Sequence, residues 1–326
     1  MELTTVWFIA IAMLWTGYFV LEGFDFGVGM LHRVLGRNET ERRAAIETIG
    51  PVWDGNEVWL IMAGAATFAA FPEWYATLFS GFYLPLFFIL VGLIVRGVAL
   101  EYRGKRDDPA WRSRMDLMIV VGSVLPALLW GVAFGNIVRG VPLDDAHEYV
   151  GSFGTLLNPF ALLGGLTFVA VFVTHGAIFL ALRTTDDLRV RANRLATRAG
   201  VVAAVLTIAF LVWAQSMRGD VASVVLTVAA IVAFAGGLVA NVLRREGWAF
   251  VGTTLAIGLA VVSLFVALFP DVMPSTLPGT SLTAADAASS PYTLKAMTII
   301  TAIFLPLVLL YQGWTYWVFR KRVVAA

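Results

Sequence analysis

Four carboxylates fall in two pairs of equal spacing. Glu22 and Asp25 lie three residues apart inside an apolar stretch, and Asp54 and Glu57 repeat that interval where the next one begins. Residues three apart share one face of a helix. An ionisable side chain at the centre of a bilayer costs at least about 2.5–3.5 kcal/mol, so such groups need a partner or a task. Close carboxylates in a low-dielectric setting resist simultaneous ionisation, which suits groups that take up a proton and pass it on. Arg96 and Glu101 close a third apolar stretch and Asp116 opens a fourth, so the acids are expected to gather at one membrane level. Plainer readings compete. Asp54-Gly55-Asn56-Glu57 also fits a helix N-cap with its capping-box partner, and Arg96 fits a simple counter-ion. Glu22 and Asp25 sit towards the C-terminal end of their stretch, where the helix dipole disfavours carboxylates, so they need another reason.

Of the three histidines, His175 alone falls within an apolar stretch, while His32 and His147 are expected in loops with a solvated or interfacial role. A membrane histidine can ligate haem. Ligation by two histidines needs a second one at matching depth, so His175 is expected in helix packing or a polar network. No Gly-rich phosphate loop, hydrolase triad or metal-spaced histidine pair occurs. The absence of cysteine excludes disulfides, iron–sulfur clusters, thiolate metal sites and cysteine nucleophiles. Any redox centre must use other ligands or another chain.

The elements that hold these residues must cross a membrane. The 326 residues are 59% hydrophobic and only 14% charged, with a mean hydropathy of +0.82, outside the range of soluble domains. A net charge of +1 offers no broad basic surface for nucleic acid. A helix needs about 20 mostly apolar residues to span, and nine such runs are predicted: 5–29, 54–71, 76–100, 116–138, 156–182, 199–217, 221–242, 249–269 and 293–319. The narrowest division is Arg218-Gly219-Asp220, whose failure would leave eight spans. Nineteen of the 23 Lys and Arg fall in alternate loops and the tail, from Arg33, Arg37, Arg42 and Arg43 to Arg320, Lys321 and Arg322. Cytoplasmic loops hold such bases, which predicts an outside N-terminus and a cytoplasmic C-terminus. The first stretch lacks a basic n-region and is long enough to span, so it is expected to be retained rather than cleaved. Glu22 then lies roughly 24 Å into the membrane at about 1.5 Å per residue. The whole chain reads as one polytopic membrane domain. Gly23/Gly27 and Gly131/Gly135 repeat the four-residue spacing that lets helices approach closely, and Trp7, Trp53, Trp74, Trp248 and Trp317 fall near predicted span ends, as an aromatic belt would.

A faint internal echo aligns Phe19-Val20-Leu21-Glu22-Gly23-Phe24-Asp25-Phe26 with Phe172-Val173-Thr174-His175-Gly176-Ala177-Ile178-Phe179, pairing Glu22 with His175. A repeat of four spans would preserve orientation, unlike the inverted repeats of many transporters.

Longer stretches resemble a known family. Gly23-Phe24-Asp25-Phe26-Gly27-Val28-Gly29-Met30-Leu31, Leu35-Gly36-Arg37-Asn38-Glu39-Thr40-Glu41-Arg42-Arg43 and Trp53-Asp54-Gly55-Asn56-Glu57-Val58-Trp59-Leu60 are similar to subunit II of the bacterial cytochrome bd quinol oxidases. So are Phe79-Ser80-Gly81-Phe82-Tyr83, Gly131-Val132-Ala133-Phe134-Gly135-Asn136, Leu157-Asn158-Pro159-Phe160 and Ser289-Ser290-Pro291-Tyr292-Thr293-Leu294-Lys295-Ala296-Met297-Thr298, in order along the chain. The resemblance implies an all-α membrane fold of nine helices, two four-helix bundles plus one peripheral helix, in the bacterial cytoplasmic membrane. It implies a partner, subunit I, carrying two b-type haems, one d-type haem and the quinol-oxidising site, so that this chain ligates no haem or metal itself and has no oxidase activity alone. It further implies a complex that oxidises quinol and reduces dioxygen to water with protons drawn from the cytoplasm. Asp54 then belongs to a proton path near the subunit interface, with Asp25 a less direct match and Glu57 standing where relatives carry glutamine. Some members add a small accessory subunit or a structural quinone in subunit II. The competing class is a proton-coupled secondary transporter that uses the same buried acids without a partner, and a third reading keeps the partner but makes the acids purely structural.

Overall fold

A computed structural model describes residues 2–324. Eleven α-helices carry the described fold: α1 (Leu3–Leu35), α2 (Glu39–Glu47), α3 (Trp53–Ala70), α4 (Pro72–Gly81), α5 (Tyr83–Tyr102), α6 (Pro109–Arg139), α7 (Pro159–Arg183), α8 (Asp186–Arg218), α9 (Val221–Val242), α10 (Glu246–Leu268) and α11 (Pro291–Val318). Eight of them, α1 and α5 to α11, are long and apolar enough to cross a membrane. The expected second span is α3, whose 18 residues include Asp54 and Glu57 in its first two turns.

Local chemistry sets many of the helix starts. Asp108, Asn158 and Ser290 each precede a proline, and each accepts a backbone N–H of the turn it opens. Proline at the first helical position lacks only an N–H that would be unbonded there, and the side-chain oxygen satisfies another. Asp220 and Ser223 form a reciprocal capping box that starts α9 directly after α8 stops at Arg218, so the narrow division at Gly219-Asp220 is a helix break. Several boundaries differ from the sequence reading, since α1 runs on to Leu35 and α6 starts at Pro109. The run expected over 76–100 is interrupted at Phe82, and residues 76–81 belong to the short α4; Phe82 is itself apolar, so hydropathy runs through the break. The sixth span begins at Asp186 rather than near 199, because the arginine-rich segment is already helical.

Helix α1 runs through the centre, packed on α3, α6, α7 and α10. Lipid tails are as apolar as the side chains, so close van der Waals contact and interhelical hydrogen bonds hold the helices together. Glycine makes the closest approaches possible. A Cβ on Gly27 would stand 2.7 Å from the Gly176 Cα, one on Gly131 2.7 Å from the Gly165 Cα, and one on Gly135 2.8 Å from the Ala161 Cα. Around the α1 crossing, Trp15, Phe19, Trp130, Phe134, Phe168 and Phe172 pack mostly edge to face, and the Trp130 indole donates to Tyr18 Oη at 3.1 Å.

One end of the bundle is basic, carrying α2, the loops after α5, α7 and α9, and the last turn of α11. Glu41 of α2 pairs there with Arg191 at 2.7 Å, and the Arg191 guanidinium together with the Arg37 backbone N–H holds its carboxyl below the usual range. At the other end a small antiparallel pair, β1 (Asp271–Met273) and β2 (Leu282–Thr283), lies across the helix ends in the register Asp271 to Thr283 and Met273 to Leu282. Arg218 ties it down through Asp271 at 3.3 Å and the Val138 carbonyl at 2.8 Å. Helix α11 stands at the margin, with Leu294 as its one buried residue.

Candidate functional site

Glu22 and Asp25 face outward from α1 towards α3 and α5, where three further side chains meet them. Arg96 of α5 is fully buried. It pairs with Glu22, and its Nη2 donates to Glu57 Oε1 at 2.8 Å. Its guanidinium lies 4.6 Å from the Phe26 ring centroid. Gly122 of α6 makes room for this, since a Cβ there would come within 2.8 Å of the Arg96 Cβ. Asp25, also fully buried, accepts from Asn56 Nδ2 at 2.6 Å, and Asn56 Oδ1 accepts from Tyr316 of α11 at 2.7 Å.

The charge balance is uneven. Three carboxyls face one guanidinium, and Glu22 and Asp25 have no contact with water. Burying unpaired charge is expensive, so the three carboxyls depend on Arg96 as their one basic partner. Glu22 Oε2, Asp25 Oδ1 and Arg96 Nε and Nη1 are buried without hydrogen-bond partners. Such orphaned atoms are rare in a buried core. Glu57, with 24% of its side chain exposed, joins the buried pair to the surface. The Asn56 amide holds one proton arrangement and cannot hand protons along, so it positions Asp25 and anchors α11.

The sequence-predicted residues divide as follows. Glu22, Asp25, Glu57 and Arg96 come together. Asp54 does not join them: it is exposed, and its Oδ1 accepts only the neighbouring Gly55 N–H. The capping reading of this motif is corrected, because α3 starts after Val52 with no side-chain cap and Glu57 turns to Arg96. Asp116 belongs to a separate cluster at the basic end, bonded by Arg103 Nε at 2.5 Å and facing His32 Nε2 at 3.2 Å, while Glu39 takes both Arg103 terminal nitrogens at 2.7 and 2.9 Å. His32 is therefore not a solvated loop residue. It is buried in the last turns of α1, since that helix continues beyond its apolar run. Glu101 is exposed at the end of α5.

His175 bonds the Thr253 hydroxyl through Nδ1 at 2.7 Å and the Val20 carbonyl through Nε2 at 3.2 Å, and it stacks on Phe250 at 4.7 Å. The carbonyl only accepts, so Nε2 carries the hydrogen and Thr253 donates to Nδ1. Both nitrogens are committed, and His175 belongs to a polar network between α1, α7 and α10. Among the described residues no group of three His, Asp or Glu lies close enough to hold a metal ion.

Residues 3–319 match the family model described as cytochrome bd terminal oxidase subunit II. The chain belongs to that family. It is 44% identical over 335 residues to the cytochrome bd ubiquinol oxidase subunit 2 of Bacillus subtilis strain 168, covering 99% of this chain and 97% of the relative. It is 38% identical over 359 residues to the cytochrome bd-I ubiquinol oxidase subunit 2 of Escherichia coli K12, covering 98% and 94%. A solved structure of bd oxidase from Geobacillus thermodenitrificans shares the fold, with a TM-score of 0.81 at 17% identity over 98% of this chain and 100% of that one. As a cytochrome bd subunit II with many apolar helices, the chain is a multi-pass protein of the bacterial cytoplasmic membrane.

Proposed function

We propose that this subunit II braces a haem-bearing subunit I and delivers protons to it from the cytoplasmic side, in a complex that oxidises quinol and reduces dioxygen to water. The observation that carries the reading is the buried group Glu22, Asp25, Arg96 and Glu57, an excess of carboxyl over base with one member reaching the surface. Asp54, exposed one turn before Glu57, would collect protons; Glu57 would pass them inward; Glu22 and Asp25 would hold them, with Arg96 as counter-ion. His175 serves the packing network. In this reading α3 is a ninth span, α1, α3, α5, α6 and α7 to α10 form two four-helix bundles, α11 is the peripheral helix, and the basic end faces the cytoplasm.

The two b-type haems and one d-type haem of the complex would sit on subunit I and supply electron transfer and oxygen reduction. Where a structural quinone is present, the apolar cleft between α1, α7, α8, α9 and α10 would be its place in this reading. That cleft is lined by Phe168, Phe210, Phe234 and Leu264, and contains the buried Thr207 hydroxyl, which has no partner.

The test is proton uptake and oxygen consumption by the purified two-subunit complex. Asp54→Asn and Asp25→Asn are expected to slow both together, with the haem spectrum unchanged. Full proton-coupled turnover in both variants would refute the relay and leave the acids a structural role.

A further inference from the structure

At the basic end, the last turns of α7 and α11 and the turn between α2 and α3 form a small open pocket lined by Val52, Phe179, Arg183, Tyr316 and Phe319 among others. Arg183 is the unusual member. The partly buried arginines that follow it on α8 are paired: Arg191 with Glu41 at 2.7 Å and Arg189 with Glu246 at 2.7 Å. Arg183 has no carboxylate within reach among the described residues; its Nη2 donates to the Phe319 carbonyl and its Nε is buried with no partner. More base is gathered beside it. The Val323 N–H bonds the Arg183 carbonyl at 2.7 Å, which brings Arg320, Lys321 and Arg322 to the same corner. Of the acids nearby, Glu246 lies 3.9 Å from Arg322 and is already held by Arg189, while Asp186 and Asp187 open α8 and form no ion pair with Arg183.

We propose that this pocket binds the phosphate of an anionic phospholipid. The chemistry has two parts. An unpaired guanidinium with a basic surround recognises a phosphate oxyanion, and basic pockets between helices at a membrane surface suit charged headgroups. Free phosphate would satisfy the first part only. The walls Val52, Phe179 and Phe319 are apolar, and Phe319 and its neighbour Val318 are themselves exposed at the end of α11; an acyl chain covers such a surface and an inorganic ion does not. The lipid would hold the last turn of α11 against α7 and the α2–α3 turn. Tyr316, a wall of the pocket, is also the residue that bonds Asn56 and through it Asp25, so the bound lipid would brace the buried carboxylate from outside. The binding itself does not depend on the proton reading.

The experiment is native mass spectrometry of the intact two-subunit complex after exchange into detergent with defined lipid, comparing phosphatidylglycerol with phosphatidylcholine. The wild-type complex is expected to retain one tightly held phosphatidylglycerol roughly tenfold more strongly than phosphatidylcholine. Arg183→Gln should lose that one lipid, Arg183→Lys should keep part of it, and millimolar inorganic phosphate should leave it in place. Equal retention of the two lipids by the wild type, or unchanged retention in Arg183→Gln, overturns the proposal. Displacement by inorganic phosphate reassigns the pocket to the free ion and overturns the lipid claim. If Arg183→Gln fails to assemble, the wild-type lipid comparison decides alone. Haem-linked turnover is not a readout of this test, so its outcome stands apart from that of the proton path.

Discussion

Removing Arg96 tests the buried cluster most directly. The side chain is fully buried, and Glu22, its closest partner, has no exposure. Deleting one partner of a buried pair costs about 3–5 kcal/mol, because the other charge stays buried and uncompensated. Glu57 adds little to that cost, since a quarter of its side chain already meets solvent. Loss of the guanidinium from the Phe26 face adds to it, by about 2 kcal/mol for a desolvated cation over a ring. Arg96→Gln is therefore expected to destabilise the subunit by about 5–7 kcal/mol. At about 2 °C per kcal/mol for a chain of this size, the melting temperature of the purified complex should fall by roughly 10–14 °C. Replacing Glu22 as well removes the stranded charge, so Glu22→Gln/Arg96→Gln should recover about half of that loss. A double variant that melts no higher than Arg96→Gln, or a single variant within about 2 °C of wild type, would refute the claim that Arg96 compensates Glu22.

Asn56→Leu should cost about 1.5–3 kcal/mol by withdrawing the donor from Asp25, whereas Tyr316→Phe, which loses a neutral bond, should cost about 0.5–1.5 kcal/mol; thermal unfolding of the two variants gives the order. Gly27→Ala and Gly131→Ala each force a methyl against the backbone of α7 and are expected to cost at least about 1–3 kcal/mol, whereas Gly64→Ala, with nothing near its Cβ, should be neutral or slightly stabilising in the same assay. Glu41 gives a pH dependence. Its folded carboxyl is held low by Arg191 and Arg37, so the stability it adds is present above the ordinary glutamate range near pH 4.3 and is lost as pH falls through the lower folded value. The pair is at the surface, so Glu41→Gln should cost no more than about 1 kcal/mol at pH 7, and the gap from wild type should close below about pH 4.

What could be read in advance divides by distance along the chain. Glu22 and Asp25 were legible because a charge in an apolar run is conspicuous and three-residue spacing is a local rule. Arg96 was legible for the same reason, and the glycine pairs of α1 and α6 do sit at helix contacts. Asn56 and Tyr316 were not, because their bond joins residues 260 apart and neither type is unusual near a membrane surface. His32 was misplaced and the start of α8 came late for one shared reason: both helices continue past their apolar segments into polar sequence, and hydropathy registers lipid contact rather than helix. Asp54 and Glu57 looked equivalent in spacing, yet one meets solvent and the other a buried arginine, a difference set by how α3 is rotated against α5.

The length of α1 bears on how deep the buried acids lie. Its 33 residues extend about 50 Å at 1.5 Å per residue, against a hydrocarbon core of about 30 Å. If Leu3 marks the outer boundary, Glu22 lies close to the opposite edge of the core and His32 beyond it, yet both are enclosed by neighbouring helices. The protein thus carries its dry interior past the edge of the lipid, like a chimney above a roof. Bilayers of different thickness can tilt the helices without changing what surrounds these acids, so their position is a property of the fold rather than of the membrane it happens to occupy.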